Sequence, residues 1–266
     1  MGKDSGIEWT DHSFNPWWGC TKVSAGCHYC YAEAMAVRIG KDCFGKDKTR
    51  ILMSDEYWAA PLKWDQAALR QAQGPGGGRK PRVFCGSMCD VFDMEAPMTE
   101  REKLRRLIEQ TPNLQWMLLT KRPENVWILG PSSWIPSQRD HTKPKTWPSN
   151  VALGVTVERQ KEVWRASKLR DIAIRYGVTE TFVSVEPMLE KIYLPYIERI
   201  DMVICGCESG PKRREFREEW ARNLRDQCVE AGTPFFYKQG IQDGRVVKMP
   251  ELDGKVWAEM PIEYPF

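Results

Sequence analysis

The stretch NVALGVTV, residues 150–157, followed at once by Glu158, decides the architecture. It is apolar or β-branched almost without interruption. A strand with one wet face alternates polar and apolar residues. This one does not, so it reads as buried on both faces, the condition of a parallel sheet. The same figure, an apolar run ending abruptly in a polar or charged cluster, recurs at RVFCGSM (82–88), QWMLLT (115–120), TFVSV (181–185), DMVICGC (201–207) and PFFYK (234–238). Most of the intervals leave room for a helix.

Several intervals carry helical signals. Thr99 and Glu102 form a T-x-x-E capping box ahead of Leu104, Leu107 and Ile108. Trp164, Ala166, Leu169, Ala173 and Ile174 fit a helix over about 159–176 closed by Gly177, and Trp220, Leu224 and Cys228 mark another that ends before Gly232. Strand-helix alternation of this kind predicts an α/β fold. The expected architecture is a partial (β/α) barrel of six to seven parallel strands in one domain over residues 1–266. Two inserted loops interrupt it, at about 65–81 and 130–149. The first is Gly-rich, and the second holds four Pro, two Trp and the basic residues Arg139, His141, Lys143 and Lys145.

Composition narrows the class. The 266 residues are 42% hydrophobic and 28% charged, too apolar for disorder, and no run reaches the roughly 18 apolar residues of a membrane span. A formal charge of +3 neither requires nor excludes a nucleic-acid partner. The opening MGKDSGIEWTDHSF has no apolar signal core, and residue 6 is Gly where myristoylation wants Ser or Thr, so a cytoplasmic location is expected. In that reducing compartment nine cysteines point to metal or redox chemistry before disulfides.

The cysteines cluster as Cys20-TKVSAG-Cys27-HY-Cys30, directly after FNPWWG and ahead of an Ala-rich helix from about Tyr31 to Ile39. Three thiolates on one loop can converge on one centre. A [4Fe–4S] cluster held by three cysteines leaves one iron open for a small ligand. Zinc wants four ligands, and His28 or the upstream His12 would complete a Cys3His set. Cys85, Cys89, Cys205 and Cys207, in or beside strands, read as small buried hydrophobes.

In parallel barrels the reactive groups gather where strands end. Here those ends supply Ser87 and Asp90, then Thr120, Lys121 and Arg122, then Thr156 and Glu158. Ser184 and Glu186, Glu208 and Ser209, and finally Lys238 and Gln239 complete the rim. Together they describe a polar basin in which opposite charges can pair.

The ending CHYCY (27–31) resembles the radical S-adenosylmethionine superfamily, in the form carried by spore photoproduct lyase and its relatives. The usual spacing there is C-x3-C-x2-C, and here the first gap is six residues. A nearly full-length resemblance is to an uncharacterised phage and bacterial three-cysteine-motif family, through IEWTDHSFNPWWGC, LLTKRPENV, NVALGVTVE, SVEPML, CGCESGP and FFYKQ. These resemblances imply a radical-SAM-like fold with a [4Fe–4S] cluster on Cys20, Cys27 and Cys30 and S-adenosylmethionine at the open iron. Reductive cleavage would give a 5′-deoxyadenosyl radical, at the expense of an external electron donor.

By the same resemblance Gly86 and Ser87 would take the methionine end of the cofactor. Thr156, Glu158, Ser184 and Glu186 would contact its ribose and amine, and Gly206 and Glu208 would lie near adenine or ribose. Lys121, Arg122, Lys238 and Gln239 would bind substrate, with Lys121 and Arg122 suited to a phosphate or carboxylate. Aromatic and basic residues at 130–149, with Lys212, Arg213, Arg214 and Arg217, point to a nucleic-acid base or nucleotide, and so to DNA repair or modification. Trp17, Trp18 and Tyr31 are candidates to close the mouth. The alternative is a non-catalytic iron–sulfur or zinc protein that binds nucleic acid or a phage partner.

Overall fold

The computed structural model describes residues 6–74, 78–131, 133–135 and 147–261. Eight strands form one sheet: β1 (His12–Phe14), β2 (Arg82–Cys85), β3 (Gln115–Thr120), β4 (Val151–Thr156), β5 (Thr181–Val185), β6 (Met202–Gly206), β7 (Phe235–Gln242) and β8 (Arg245–Lys248). They lie side by side in chain order, every pair from β1 to β7 is parallel, and β8 turns back antiparallel on β7. The result is an open, curled half-barrel of seven parallel strands with one antiparallel edge strand.

Helices α1 (Tyr31–Arg38), α2 (Asp55–Trp58), α3 (Ala60–Ala72), α4 (Met98–Gln110), α5 (Val126–Leu129), α6 (Trp164–Tyr176) and α7 (Glu218–Ala231) fill the crossovers. No helix among the described residues is long and apolar enough to cross a membrane.

The two-sided apolar runs are explained by two cores. Val83, Trp116, Leu118, Leu153, Val155, Val183, Val203 and Phe235 pack outward with buried residues of α3, α4, α6 and α7. The intervening Phe84, Met117, Ala152, Phe182, Met202, Ile204 and Phe236 pack inward with Trp9, forming a hydrophobic floor inside the half-barrel. Strand periodicity carries that alternation upward. It puts Thr156 and Ser184, which are register partners, on the inner side just above the floor.

Several sequence expectations change. The Thr99–Glu102 capping box does not form. The chain leaves Pro97 extended and enters α4 at Met98, so Thr99 is already helical, while Glu102 pairs with Arg105 and Arg106. The helix expected from 159 starts at Trp164 after a 3-10 turn over Gln160–Glu162, and Gly177 closes it in the left-handed conformation. Of the loop expected at 65–81, residues 65–72 are the last turns of α3, with Asp65 and Ala68 buried, and 75–77 lie outside the described residues. In the 130–149 insertion Trp134 and Trp147 are buried edge to face at 5.5 Å in the outer core, which leaves neither ring for a base. Arg139, His141, Lys143 and Lys145 lie outside the described residues. Trp17 is a fully buried core residue and not part of the mouth.

Gly154 faces the ring of its register partner Phe182, and a Cβ there would lie 2.3 Å from a ring carbon. Phe182 in turn sits 5.7 Å from Trp9, so the ring cannot retreat. Gly154→Ala is therefore expected to cost about 1–3 kcal/mol by overpacking, read as a lower urea midpoint at unchanged slope. A wild-type midpoint would show that the floor is loosely packed.

Candidate functional site

The cysteine loop leaves β1 and crosses the C-terminal ends of the parallel strands. Gly19 makes the entry possible. Its φ is +105°, its N–H donates to the Met88 carbonyl at 2.9 Å, and a Cβ would fall 2.0 Å from the Cys43 carbonyl oxygen. The Thr21 N–H donates to Asp93 at 2.9 Å, and its carbonyl accepts from Arg122. A 3-10 turn over Ala25–Cys27 follows, with the Ser24 hydroxyl donating to Glu158 Oε1 at 2.7 Å. Cys30 then stands at the N-cap of α1.

Burial raises the pKa of Cys20, helped by Asp90 and opposed by Arg122, and burial also raises that of Cys30. The three sulfurs lie close enough to feel one another's charge, and Lys121 sits beside Cys27 and Cys30. Among the described residues, no three Cys, His, Asp or Glu side chains are drawn together as a ligand set. The Cys3His alternative gains nothing from either histidine. His12 stacks on Trp64 of α3 at 4.4 Å, and His28 is exposed against Tyr29.

The rim is a row of paired charges, as the sequence suggests. The fully buried Glu158 accepts from Arg165 at 2.8 Å and lies 3.4 Å from Lys121. Burial would raise its pKa, but Lys121, Arg165 and Ser24 overrule it and hold the carboxyl below the usual range. Burial likewise disfavours the Lys121 ammonium, yet Glu158, Cys27 and Cys30 outweigh it and raise its pKa. Arg122 pairs with Asp90 at 2.7 Å.

Glu186 and Lys238 meet at 2.5 Å. A register step between Cys205 and Gly206 pairs Gly206 with Gln239 and skips Lys238, the kind of irregularity that re-aims a side chain. Gln239 donates to the Cys207 carbonyl at 2.6 Å. Burial and the nearby Glu186 push the Cys207 thiol up to about 12. Glu208 holds Arg214 through its backbone N–H at 2.9 Å and its guanidinium, which lies 5.2 Å from the Tyr29 ring.

The aromatic residues of CHYCY link the loop to both sides of the basin. Tyr29 meets the Glu208–Arg214 pair, while the Tyr31 hydroxyl donates to the Ser87 carbonyl at 2.6 Å. Gly86 turns there with φ +97°.

The chain belongs to the family described as Protein of unknown function (DUF5131). That family's model matches residues 4–261. No curated protein matches the chain. Among solved structures it is similar to a spore photoproduct lyase mutant with bound AdoMet and dinucleoside spore photoproduct. That match has 11% identity and a TM-score of 0.47, and covers 92% of this chain and 68% of that one. A second spore photoproduct lyase mutant matches at 12% identity and TM-score 0.48, over 87% and 75% of the two chains.

In this family member the expected rim residues of β2 to β6 lie at or just beyond the strand ends, with Cys27 and Cys30 beside Lys121 and with Ser87 beside Tyr31. Lys238 and Gln239 instead lie within β7, which runs on to Gln242, and reach the rim because Gln239 pairs with Gly206 at the end of β6. Arg122 and Gln239, expected to bind substrate, are instead engaged with Asp90, Thr21 and Cys207. The basic cluster is also partly occupied. Arg213 donates to the Gly244 carbonyl, Arg214 serves Glu208, and Arg217 pairs with Glu215 at 2.7 Å.

Sequence reasoning missed Asn15, Ser24, Arg50, Asp93 and Arg165. Asn15 accepts from the Met88 N–H at 2.7 Å and donates to Ser87 at 2.9 Å. Buried Arg50 donates to the carbonyls of Cys43, Gly45 and Lys48 and to Thr21, Asp93 and Glu95, all within 3.3 Å. No short spacing signals that network.

Arg50→Met would strand the buried Asp93 carboxylate. A loss of about 3–5 kcal/mol in chemical unfolding is expected, as for a broken buried pair. Lys48→Met, in the exposed pair with Asp42, should leave stability nearly unchanged. Equal losses would refute the brace.

Proposed function

We propose that this protein holds a [4Fe–4S] cluster on Cys20, Cys27 and Cys30 and binds S-adenosylmethionine at the open iron, as a radical enzyme acting on a nucleic-acid base or nucleotide. The observation that carries the reading is the position of the three thiols. They share one loop over the C-terminal mouth of a parallel half-barrel, beside the paired polar residues of the rim. The donor set fits such a group. Soft thiolates suit iron–sulfur chemistry, neither nearby histidine supplies a fourth ligand, and Lys121 and Arg122 offset negative charge at the loop. When bound, the cluster and S-adenosylmethionine supply one-electron cleavage of a carbon–sulfur bond and a 5′-deoxyadenosyl radical that takes hydrogen from substrate.

The chain's own residues bind and orient. Gly86 and Ser87, next to Tyr31, are assigned to the methionine end of the cofactor. Thr156 and Ser184 on the inner face, with the half-buried Glu186, are assigned to its ribose and amine, Gly206 and Glu208 to the adenine side, and Lys238, paired with Glu186, to substrate. The floor of Trp9, Phe84, Met117 and Phe182 closes the basin from below and keeps water from that side. Support for a base or nucleotide substrate comes from Tyr29, 38% exposed beside the Arg214 guanidinium, and from exposed Lys212 on the same segment. The electron comes from an external donor.

Anaerobic reconstitution with iron and sulfide should load about four irons per chain. Dithionite and S-adenosylmethionine should then yield 5′-deoxyadenosine. Cys27→Ala should abolish iron binding, while Cys85→Ala, buried in the outer core, should retain it. Equal iron loss in both variants, or about one zinc and no iron, contradicts the assignment. A loaded cluster with bound S-adenosylmethionine and no cleavage, even with oligonucleotides present, would instead mark a binding protein.

A further inference from the structure

The first gap of the cysteine motif contains two residues that fasten the loop to the strand ends. Thr21 binds Asp93, Arg50 and Arg122, and Ser24 binds Glu158. The second attachment has unusual chemistry. One oxygen of a carboxylate with no solvent exposure accepts the hydroxyl of the cysteine loop, while the other accepts Arg165, whose same nitrogen also donates to the Thr156 carbonyl at 2.8 Å. Arg165 thereby ties the carboxylate to the end of β4, and the Leu189 N–H holds the Glu158 carbonyl at 3.0 Å. The loop also packs against this carboxylate. A Cβ on Gly26 would lie 2.4 Å from Glu158 Oε1.

We infer that Glu158 is the positioning residue of the cysteine loop, latching Ser24 and Gly26 so that Cys27 is presented to the basin, and is not itself a contact for cofactor or substrate. Both carboxylate oxygens are committed within the protein. Hydrogen bonds to a charged group are about twice as strong as neutral ones, so one serine can restrain a loop whose other tie between Thr21 and Cys27 is the half-exposed Lys22–Glu33 pair at 2.6 Å. The six-residue gap thus has a physical use, since a gap of three would have no room for both anchors.

The biological sense of this latch rests on the cluster reading, but its test does not. In the metal-free protein, the rate at which iodoacetamide alkylates Cys27, followed by mass spectrometry of the loop peptide, reports loop opening. Ser24→Ala removes the bond to Glu158 together with the 3.9 Å contact between the hydroxyl and the Cys27 sulfur. It should raise that rate by about tenfold, the scale of a lost hydrogen bond to a charged group. Gly26→Ala separates the two, because it disturbs the latch and leaves that hydroxyl in place. Ser24→Thr should restore it. Gly26→Ala, which keeps the hydroxyl but intrudes on Glu158, should raise the rate as well, and Cys85 labelling should stay at the wild-type level in all three. An unchanged Cys27 rate in Ser24→Ala and Gly26→Ala overturns the inference. If the wild type takes up no iron, the cluster reading fails while the alkylation result still judges the latch. If iron binds and the latch variants label like wild type, the latch fails and the cluster reading stands.

Discussion

A parallel strand buried on both faces has nowhere to keep a charge except at its ends. This constraint shapes the rest of the molecule. Helices cover the outer face and an aromatic and Met-rich floor fills the inner one, so the central strands are largely apolar until they reach the rim. Every strand-end carboxylate described here then needs a partner, because an unpaired buried charge costs several kcal/mol. Asp90 has Arg122, Glu158 has Arg165 and Lys121, Glu186 has Lys238, and Glu208 has Arg214. The rim is a ring of satisfied pairs.

A ring built this way is stiff, and the cysteine loop takes its shape from it. Arg122 and Glu158 belong to different strand ends, yet each reaches a backbone or hydroxyl oxygen of the loop. Beneath the loop's other flank, Arg50 gathers the carbonyls of Cys43, Gly45 and Lys48 and donates to Asp93, which also accepts the Thr21 N–H. Tyr29 and Tyr31 extend the contacts to opposite sides of the basin. The sulfur-bearing segment is therefore anchored from several directions before any ligand arrives, which is how a site reduces the cost of ordering itself on binding.

Much of this was legible in the sequence because burial on two faces writes itself as unbroken apolar runs. NVALGVTV and its counterparts became β2 to β7, and Gly177 and Gly232 closed the helices where expected. The antiparallel β8, RVVK, is half exposed and short, and carried no such signature. The Thr99 capping box failed because Pro97 launches the helix two residues early. Trp134 and Trp147 looked like stacking platforms since a tryptophan in a polar stretch does not announce that it folds back into the core. At the site, the cysteines and the strand-end charges could be found by local pattern. Their partners could not: Arg50 and Asp93 are 43 residues apart, and Ser24 and Glu158 are 134 apart. Only the fold joins them.

The account stands or falls on what fills the space between the three sulfurs. An anaerobic crystal structure soaked with S-adenosylmethionine addresses it directly. The prediction is an iron–sulfur cube on the sulfurs of Cys20, Cys27 and Cys30, with the amino and carboxylate groups of S-adenosylmethionine on the remaining iron. A single zinc ion, or a protein side chain occupying the fourth corner, would contradict it.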